Sequence, residues 1–204
     1  MEAIIFDVDG TLWDSTDIVA GAWNKAAKET NIDLEVNGDD LKKVFGLPMM
    51  EIMDRLIPNE SKEKKEELFP LCSKYEFEFL SKTPGMVYKG LGQALEALSK
   101  KYFLGAVSNC QSGYINLLYK MTGVGKYFKD DLCPGDTGKL KADNIRIMME
   151  KHGIKEAVYV GDTIMDYNAC LKANVPFVFA RYGFGHVDKP DYIIDSPLDL
   201  LKLF

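Results

Sequence analysis

The chain has little of what staples small folds together. Four cysteines and two histidines stand among its 204 residues. Cys72, Cys110, Cys133 and Cys170 are far apart and form no CxxC pair, which argues against a disulfide framework. His152 and His186 are too few and too distant for a zinc site. Thiols used this way fit a reducing compartment, and the cytoplasm is the expected location. No window approaches 18 uninterrupted apolar residues, so no membrane span is expected. The opening MEAIIFDVDG has too short an apolar stretch for a secretory signal, with an acid ahead of it in place of a base. Neither G-x-x-x-x-G-K-[ST] nor G-x-G-x-x-G occurs, which argues against a nucleotide P-loop and a dinucleotide cofactor. Basic residues are outnumbered 25 to 31, and the net charge of −6 disfavours nonspecific nucleic-acid binding.

What is present describes an ordinary globular protein, with 47% hydrophobic and 27% charged residues. The length allows one sizeable core plus a smaller unit. Short apolar runs at 3–6, 103–107, 157–160 and 175–180 each end near Gly, Asp, Ser or Asn. Such runs are buried strands, covered on both faces of a sheet. Between them, Leu91, Ala94, Leu95 and Leu98, and then Ile145, Met148, Met149 and His152, follow helical spacing. Alternating strands and helices predict an α/β fold with a Rossmann-like parallel sheet. A last strand at 192–194 and a terminal helix from about Pro197 complete it.

One connection breaks the rhythm. From Asp7 to the strand at 103 runs far more chain than a βα loop of about 2–6 residues needs. Apart from a crossover helix at 90–101, this stretch reads as a helical insertion. It divides the chain into a core, 1–13 and 84–204, and an insert, 14–83. Pro70 is expected to kink or restart the insert's last helix, and the Lys/Glu run at 62–67 reads as a solvated face.

Ligands of open parallel sheets bind beyond the carboxyl ends of the strands. There the sequence puts Asp7-Val8-Asp9-Gly10-Thr11, then Ser108-Asn109, then Gly161-Asp162-Thr163-Ile164-Met165-Asp166. Gly138-Lys139-Leu140-Lys141 precedes the helix before the last of these. Flanking Val8 in extended chain, Asp7 and Asp9 point to the same side. Two carboxylates so placed repel each other unless a cation or a proton intervenes. A hard dication such as magnesium, with Asp162 as a third oxygen donor, removes the conflict.

DVDGT after an N-terminal strand, a strand-end Ser, a downstream Lys and GDxxxD, in that order, resemble the haloacid dehalogenase-like hydrolase superfamily. The likeness spans essentially the whole chain and is nearest the phosphoglycolate phosphatase-like branch, whose helical C1 cap follows the first strand. It implies a magnesium-dependent phosphatase acting on a small phosphorylated metabolite. Asp7 would be the nucleophile, forming an aspartyl-phosphate, and Asp9 the general acid and base. Gly10, Thr11, Ser108, Asn109 and Lys141 would bind phosphate. Asp7, Asp9 (with its backbone carbonyl as a ligand) and Asp162 would hold the metal, with Asp166 orienting it from behind. Family members most often read Lys-Pro at the lysine, so Lys139 stands as the alternative to Lys141. The acid at Asp9 favours rapid breakdown of the phospho-enzyme. A phosphomutase resembling β-phosphoglucomutase is the alternative reading; a dehalogenase and a non-catalytic regulatory relative rank below it.

Other positions have plainer readings. His152 packs on a helix, and His186 sits on a surface loop. Trp13 and Asp14 form a hinge lining the entrance. Gly46-Leu47-Pro48 reads as a turn in the insert, which the resemblance places over the site, and Cys110 is a small buried neighbour of the Ser108-Asn109 loop.

Overall fold

The computed structural model describes all 204 residues. Its strands are β1 (Ala3–Phe6), β2 (Trp13–Asp14), β3 (Met86–Val87), β4 (Phe103–Val107), β5 (Asp130–Leu132), β6 (Ala157–Gly161), β7 (Phe177–Ala180) and β8 (Tyr192–Ile194). Six of them form a parallel sheet in the order β5-β4-β1-β6-β7-β8. The fold is therefore the expected α/β Rossmann-like one. β1 is central and wholly buried, and the two-residue side-chain period sends its residues to opposite faces. Ile4 and Phe6 join the larger apolar core, while Ala3 and Ile5 join a smaller one on the other face. The strand order runs outward from β1 in both directions, so a crevice opens beyond the carboxyl end of β1.

Ten helices surround the sheet: α1 (Thr16–Glu29), α2 (Gly38–Lys42), α3 (Met49–Leu56), α4 (Lys62–Leu80), α5 (Leu91–Leu98), α6 (Tyr114–Thr122), α7 (Pro134–Thr137), α8 (Lys141–Lys151), α9 (Ile164–Ala173) and α10 (Leu200–Leu203). α1 to α4 pack together before the chain returns to the sheet. Val19, Ala22, Trp23 and Ala26 of α1 and Leu68, Cys72 and Leu80 of α4 are buried there. The chain leaves and re-enters the sheet layer through the antiparallel ribbon of β2 and β3, which pairs Trp13 with Val87.

Several expectations change. α4 runs unbroken through Pro70. Pro70 and Glu66 are both exposed, so the carbonyl that loses its proline-blocked partner faces solvent. The charged run of α4 is not wholly solvated, because Lys65 is buried and pairs with Asp54 of α3 at 2.8 Å. The edge strand β5 and the ribbon have no apolar run to mark them. β5 reads Asp-Asp-Leu. His152 packs at a tilt against Phe103 with centroids 4.6 Å apart and also meets Asp130 at 2.7 Å. All four cysteines are free thiols.

Candidate active site

The Asp7 N–H still donates to Val160 of the neighbouring strand, at 2.8 Å. The carboxylate is thereby fixed at the end of the central strand, 2% exposed. Its Oδ1 lies 2.9 Å from Lys141 Nζ, which also meets Asp166 Oδ1 at 2.5 Å. Burial works against the charge on Lys141, yet Asp166 and then Asp7 hold its pKa above the ordinary lysine value. Lys139 is exposed two residues earlier, so Lys141 is the lysine that faces Asp7.

Oxygens of Asp7, Asp162 and Asp166 lie within 4.8 Å of one another, and all three residues are buried. Burial first, and the Asp166 charge second, push the Asp7 carboxyl up to about 7, and the same causes raise Asp162 well above the carboxylate range. Asp166 is held by the start of α9. Its Oδ2 accepts from the Thr163 N–H at 2.9 Å and hydroxyl at 2.7 Å, and from the Asp162 N–H at 3.2 Å. This reciprocal cap spends one Asp166 oxygen on backbone and the other on Lys141.

Asp9 lines the same cleft as Asp7. Its carboxylate stands outside that cluster and accepts from Ser15 Oγ at 2.6 Å and Tyr114 OH at 2.9 Å. The cause is local: regular strand ends at Phe6, the chain turns at Gly10 with φ of 80°, and two buried hydroxyls capture the acid. Burial raises Asp9 to about 6, against the lowering effect of Ser15 and Tyr114. Nothing in the sequence marked these two hydroxyls, since a Ser after a strand and a Tyr opening a helix are common.

The donors expected at Gly10 and Thr11 are committed to the turn. The Gly10 N–H donates to Trp13 O at 2.9 Å and the Thr11 N–H to Val8 O at 3.2 Å. The Thr11 hydroxyl reaches Asp162 Oδ1 at 3.3 Å. Asp9 and Asn109 keep backbone N–H groups that donate to no protein acceptor. A Cβ on Gly10 would stand 2.0 Å from Asp162 Oδ2, so the glycine allows the first loop to close on the third acid.

Ser108 and Asn109 follow β4 and line the same cleft as Asp7 and Asp9. Asn109 also ties two parts of the fold together: its Nδ2 donates to Gly46 O at 2.9 Å and its Oδ1 accepts from the Lys141 N–H at 3.2 Å. Gly46 and Leu47 thus sit over the site, while Trp13 is fully buried and lines no entrance. Cys110 is half-buried and borders the cleft. The loop after β7 takes part as well. Phe184 N–H donates to Asp162 Oδ2 at 2.8 Å and Tyr182 OH to Thr11 O at 2.9 Å, while His186 is exposed on Asp188.

Sequence reasoning missed one acid altogether. Glu76 of α4 is 4% exposed, lines the cleft and accepts from Gln111 Nε2 at 2.9 Å. Burial and the charge on Asp9 push it up to about 8.

Residues 4–180 match the haloacid dehalogenase-like hydrolases. The chain belongs to that family. This hydrolase is 29% identical to a phosphoglycolate phosphatase of Aquifex aeolicus, over 100% of this chain and 96% of that one. It is 26% identical to the pyrophosphatase PpaX of Bacillus velezensis, over 98% and 95% of the two. A solved haloacid dehalogenase-like family hydrolase from Streptococcus pneumoniae shares the fold, with a TM-score of 0.87 at 22% identity, covering 100% and 98% of the two chains.

Proposed function

We propose that this hydrolase is a magnesium-dependent phosphatase that cleaves a small phosphate monoester through an aspartyl-phosphate on Asp7. The observation that carries the reading is the Asp7 carboxylate, buried at the end of the central strand between Lys141 and Asp162. The relatives' names, phosphoglycolate phosphatase and pyrophosphatase, support phosphoryl transfer to water.

The acids fit a hard divalent cation. Three buried carboxylates face one ammonium, a deficit of two positive charges, and every donor is an oxygen. Asp7, Asp162 and the Asp9 carbonyl would hold it, with Asp166 fixing Lys141 and the Asp162 loop from behind. When bound, magnesium supplies the charge that keeps Asp7 ionised and offsets its repulsion from phosphate.

In the first step an Asp7 carboxylate oxygen bonds to phosphorus as the ester P–O bond breaks, and Asp9 gives its proton to the departing alkoxide. In the second, water attacks phosphorus, Asp9 takes its proton, and the bond to Asp7 breaks to release inorganic phosphate. An Asp9 near 6 is suited to both roles at neutral pH. Lys141, the Ser108 hydroxyl and the open N–H groups of Asp9 and Asn109 bind the nonbridging oxygens, where charge builds up.

Residues 14–83 act as a cap over the core, 1–13 and 84–204. Trp23, Phe45 and Met49 from this segment wall the cleft above Asp7, which suits a small substrate shielded from water. No helix is long and apolar enough to cross a membrane, and the four free thiols suit the cytoplasm. The test is phosphate release from p-nitrophenyl phosphate and a panel of phosphorylated metabolites, with magnesium and with chelator. Activity that needs magnesium and vanishes in Asp7→Asn is expected; full activity in Asp7→Asn would sink the reading.

A further inference from the structure

Building on the phosphatase reading, we propose that the site takes monoesters of uncharged, hydroxyl-bearing alcohols, read by Glu76 and Gln111. It discriminates against leaving groups that carry a carboxylate or a second phosphate.

The cleft has two chemically distinct parts. Phosphate is provided for at the floor, by Lys141 and the acids that fit a cation. Above it stand the apolar side chains of Trp23, Phe45, Met49 and Ile52, and among them a buried polar pair. Gln111 Nε2 spends itself on Glu76 Oε2. Beyond Gln111, Glu76 has only the Trp23 indole facing it, and the Gln111 carbonyl oxygen bonds to no protein group, which leaves hydrogen-bonding capacity at the wall of the cleft. Trp23 Nε1, on a residue 1% exposed, stands in the same wall and faces Glu76 without completing a hydrogen bond to it. Buried polar groups left in this way are costly unless a ligand answers them. A hydroxyl answers both kinds, because it donates to an acid or amide oxygen and accepts from an indole N–H.

An anionic leaving group finds no such answer. Apart from Lys141 behind Asp7 at the floor, no Lys, Arg or His stands at the cleft, nor at the adjoining hollow that shares Leu47, Met49 and Gln111 with it. A carboxylate or second phosphate would be stripped of water beside Asp9 and Glu76 with no cation to meet it. Whether Glu76 is ionised or protonated, it supplies no positive charge. The polarity of this wall thus differs from what either phosphoglycolate or pyrophosphate requires.

The experiment compares kcat/KM of the full-length wild-type protein with magnesium on five compounds. They are glycerol phosphate and sorbitol phosphate, then phosphoglycolate and pyrophosphate, with p-nitrophenyl phosphate as the reference. The polyol esters are expected to exceed both anionic compounds by about tenfold or more, the scale of an unfavourable charge placement. Glu76→Lys is expected to move the ratio about tenfold towards phosphoglycolate. Gln111→Lys, at a less buried position, makes the same comparison if the first variant does not fold. A wild-type preference for phosphoglycolate or pyrophosphate overturns this inference and leaves the phosphatase reading standing. An unchanged ratio in a folded lysine variant overturns the assignment to Glu76 and Gln111. Failure to hydrolyse any compound, p-nitrophenyl phosphate included, overturns the phosphatase reading and this inference with it.

Discussion

Lys141 Nζ stands 2.9 Å from Asp7 Oδ1, with 2% and 3% of the two side chains exposed. The same ammonium holds Asp166, so one cation balances two buried acids. Lys141→Met removes it while keeping much of the volume. Breaking a buried pair costs about 3–5 kcal/mol, and losing a donor to developing phosphoryl charge costs about a hundred- to a thousand-fold in kcat. Urea unfolding and steady-state kinetics on the variant check the two effects separately.

Tyr114 and Ser15 give Asp9 its hydrogen bonds and lower its pKa against burial. Tyr114→Phe deletes one donor to the ionised carboxylate, so the pKa of Asp9 is expected to rise above about 6. Where ionised Asp9 limits the breakdown of the phospho-enzyme, the acid limb of the pH–kcat profile moves to higher pH. A profile superimposable on that of the wild type would show that Tyr114 does not tune Asp9.

Magnesium is expected to bind the folded protein without any substrate, because Asp7, Asp162 and Asp166 crowd their oxygens within 4.8 Å. Binding to the native state alone raises the melting temperature, by about 2.7 kcal/mol of added stability at a hundredfold excess over the dissociation constant. Asp162→Asn is expected to melt higher than the wild type without metal, since repulsion is relieved, and to lose the magnesium-induced rise. Scanning calorimetry with and without magnesium reads both effects.

The parts of the site legible in the sequence were those whose spacing fixes their place. Asp7, Ser108 and Asp162 end strands β1, β4 and β6, which are adjacent in the sheet, so naming the strands also brings the residues together. Lys141 was found because it opens a helix with apolar periodicity. Asp9 faces the same cleft as Asp7, but its hydroxyl partners Ser15 and Tyr114 were not legible, because the turn at Gly10 that brings the chain to them depends on a backbone φ that a single sequence does not display. Glu76 escaped because an acid on a charged helix ordinarily faces water; only the packing of α1 on α4 shows that it faces inward. Strand β5 escaped for the complementary reason, since its Asp-Asp-Leu has a single apolar residue and no apolar run, and its pairing to β4 comes from the tertiary fold.

Glu76 also makes a stability prediction. Its folded pKa of about 8 lies above the ordinary value of 4.5, mainly through burial. Between those two pH values the unfolded chain has released a proton that the folded chain keeps. Stability therefore falls as pH rises across this interval and levels off beyond it. Glu76→Gln keeps the hydrogen-bonding shape and cannot ionise, so its melting temperature is expected to lose that slope and to exceed the wild type's at the alkaline end. The gain at high pH is on the order of a few kcal/mol. Parallel slopes in the two proteins would mean that Glu76 is ionised throughout.

Gly10 offers the sharpest structural test because two independent constraints meet there. Its φ of 80° is one that side chains disfavour, and a Cβ would lie 2.0 Å from Asp162 Oδ2 and 2.5 Å from Asp162 Cγ. The second constraint is the costlier one, because Asp162 is held by the Phe184 N–H and the Thr11 hydroxyl, packs closely on Gly183 and has little room to retreat. Gly10→Ala is therefore expected to displace Asp162 and to weaken magnesium binding by more than tenfold. The backbone contribution alone costs about 1 kcal/mol of stability. Isothermal titration with magnesium separates the two contributions. Destabilisation with unchanged affinity would mean that the loop, and not the acid, gives way.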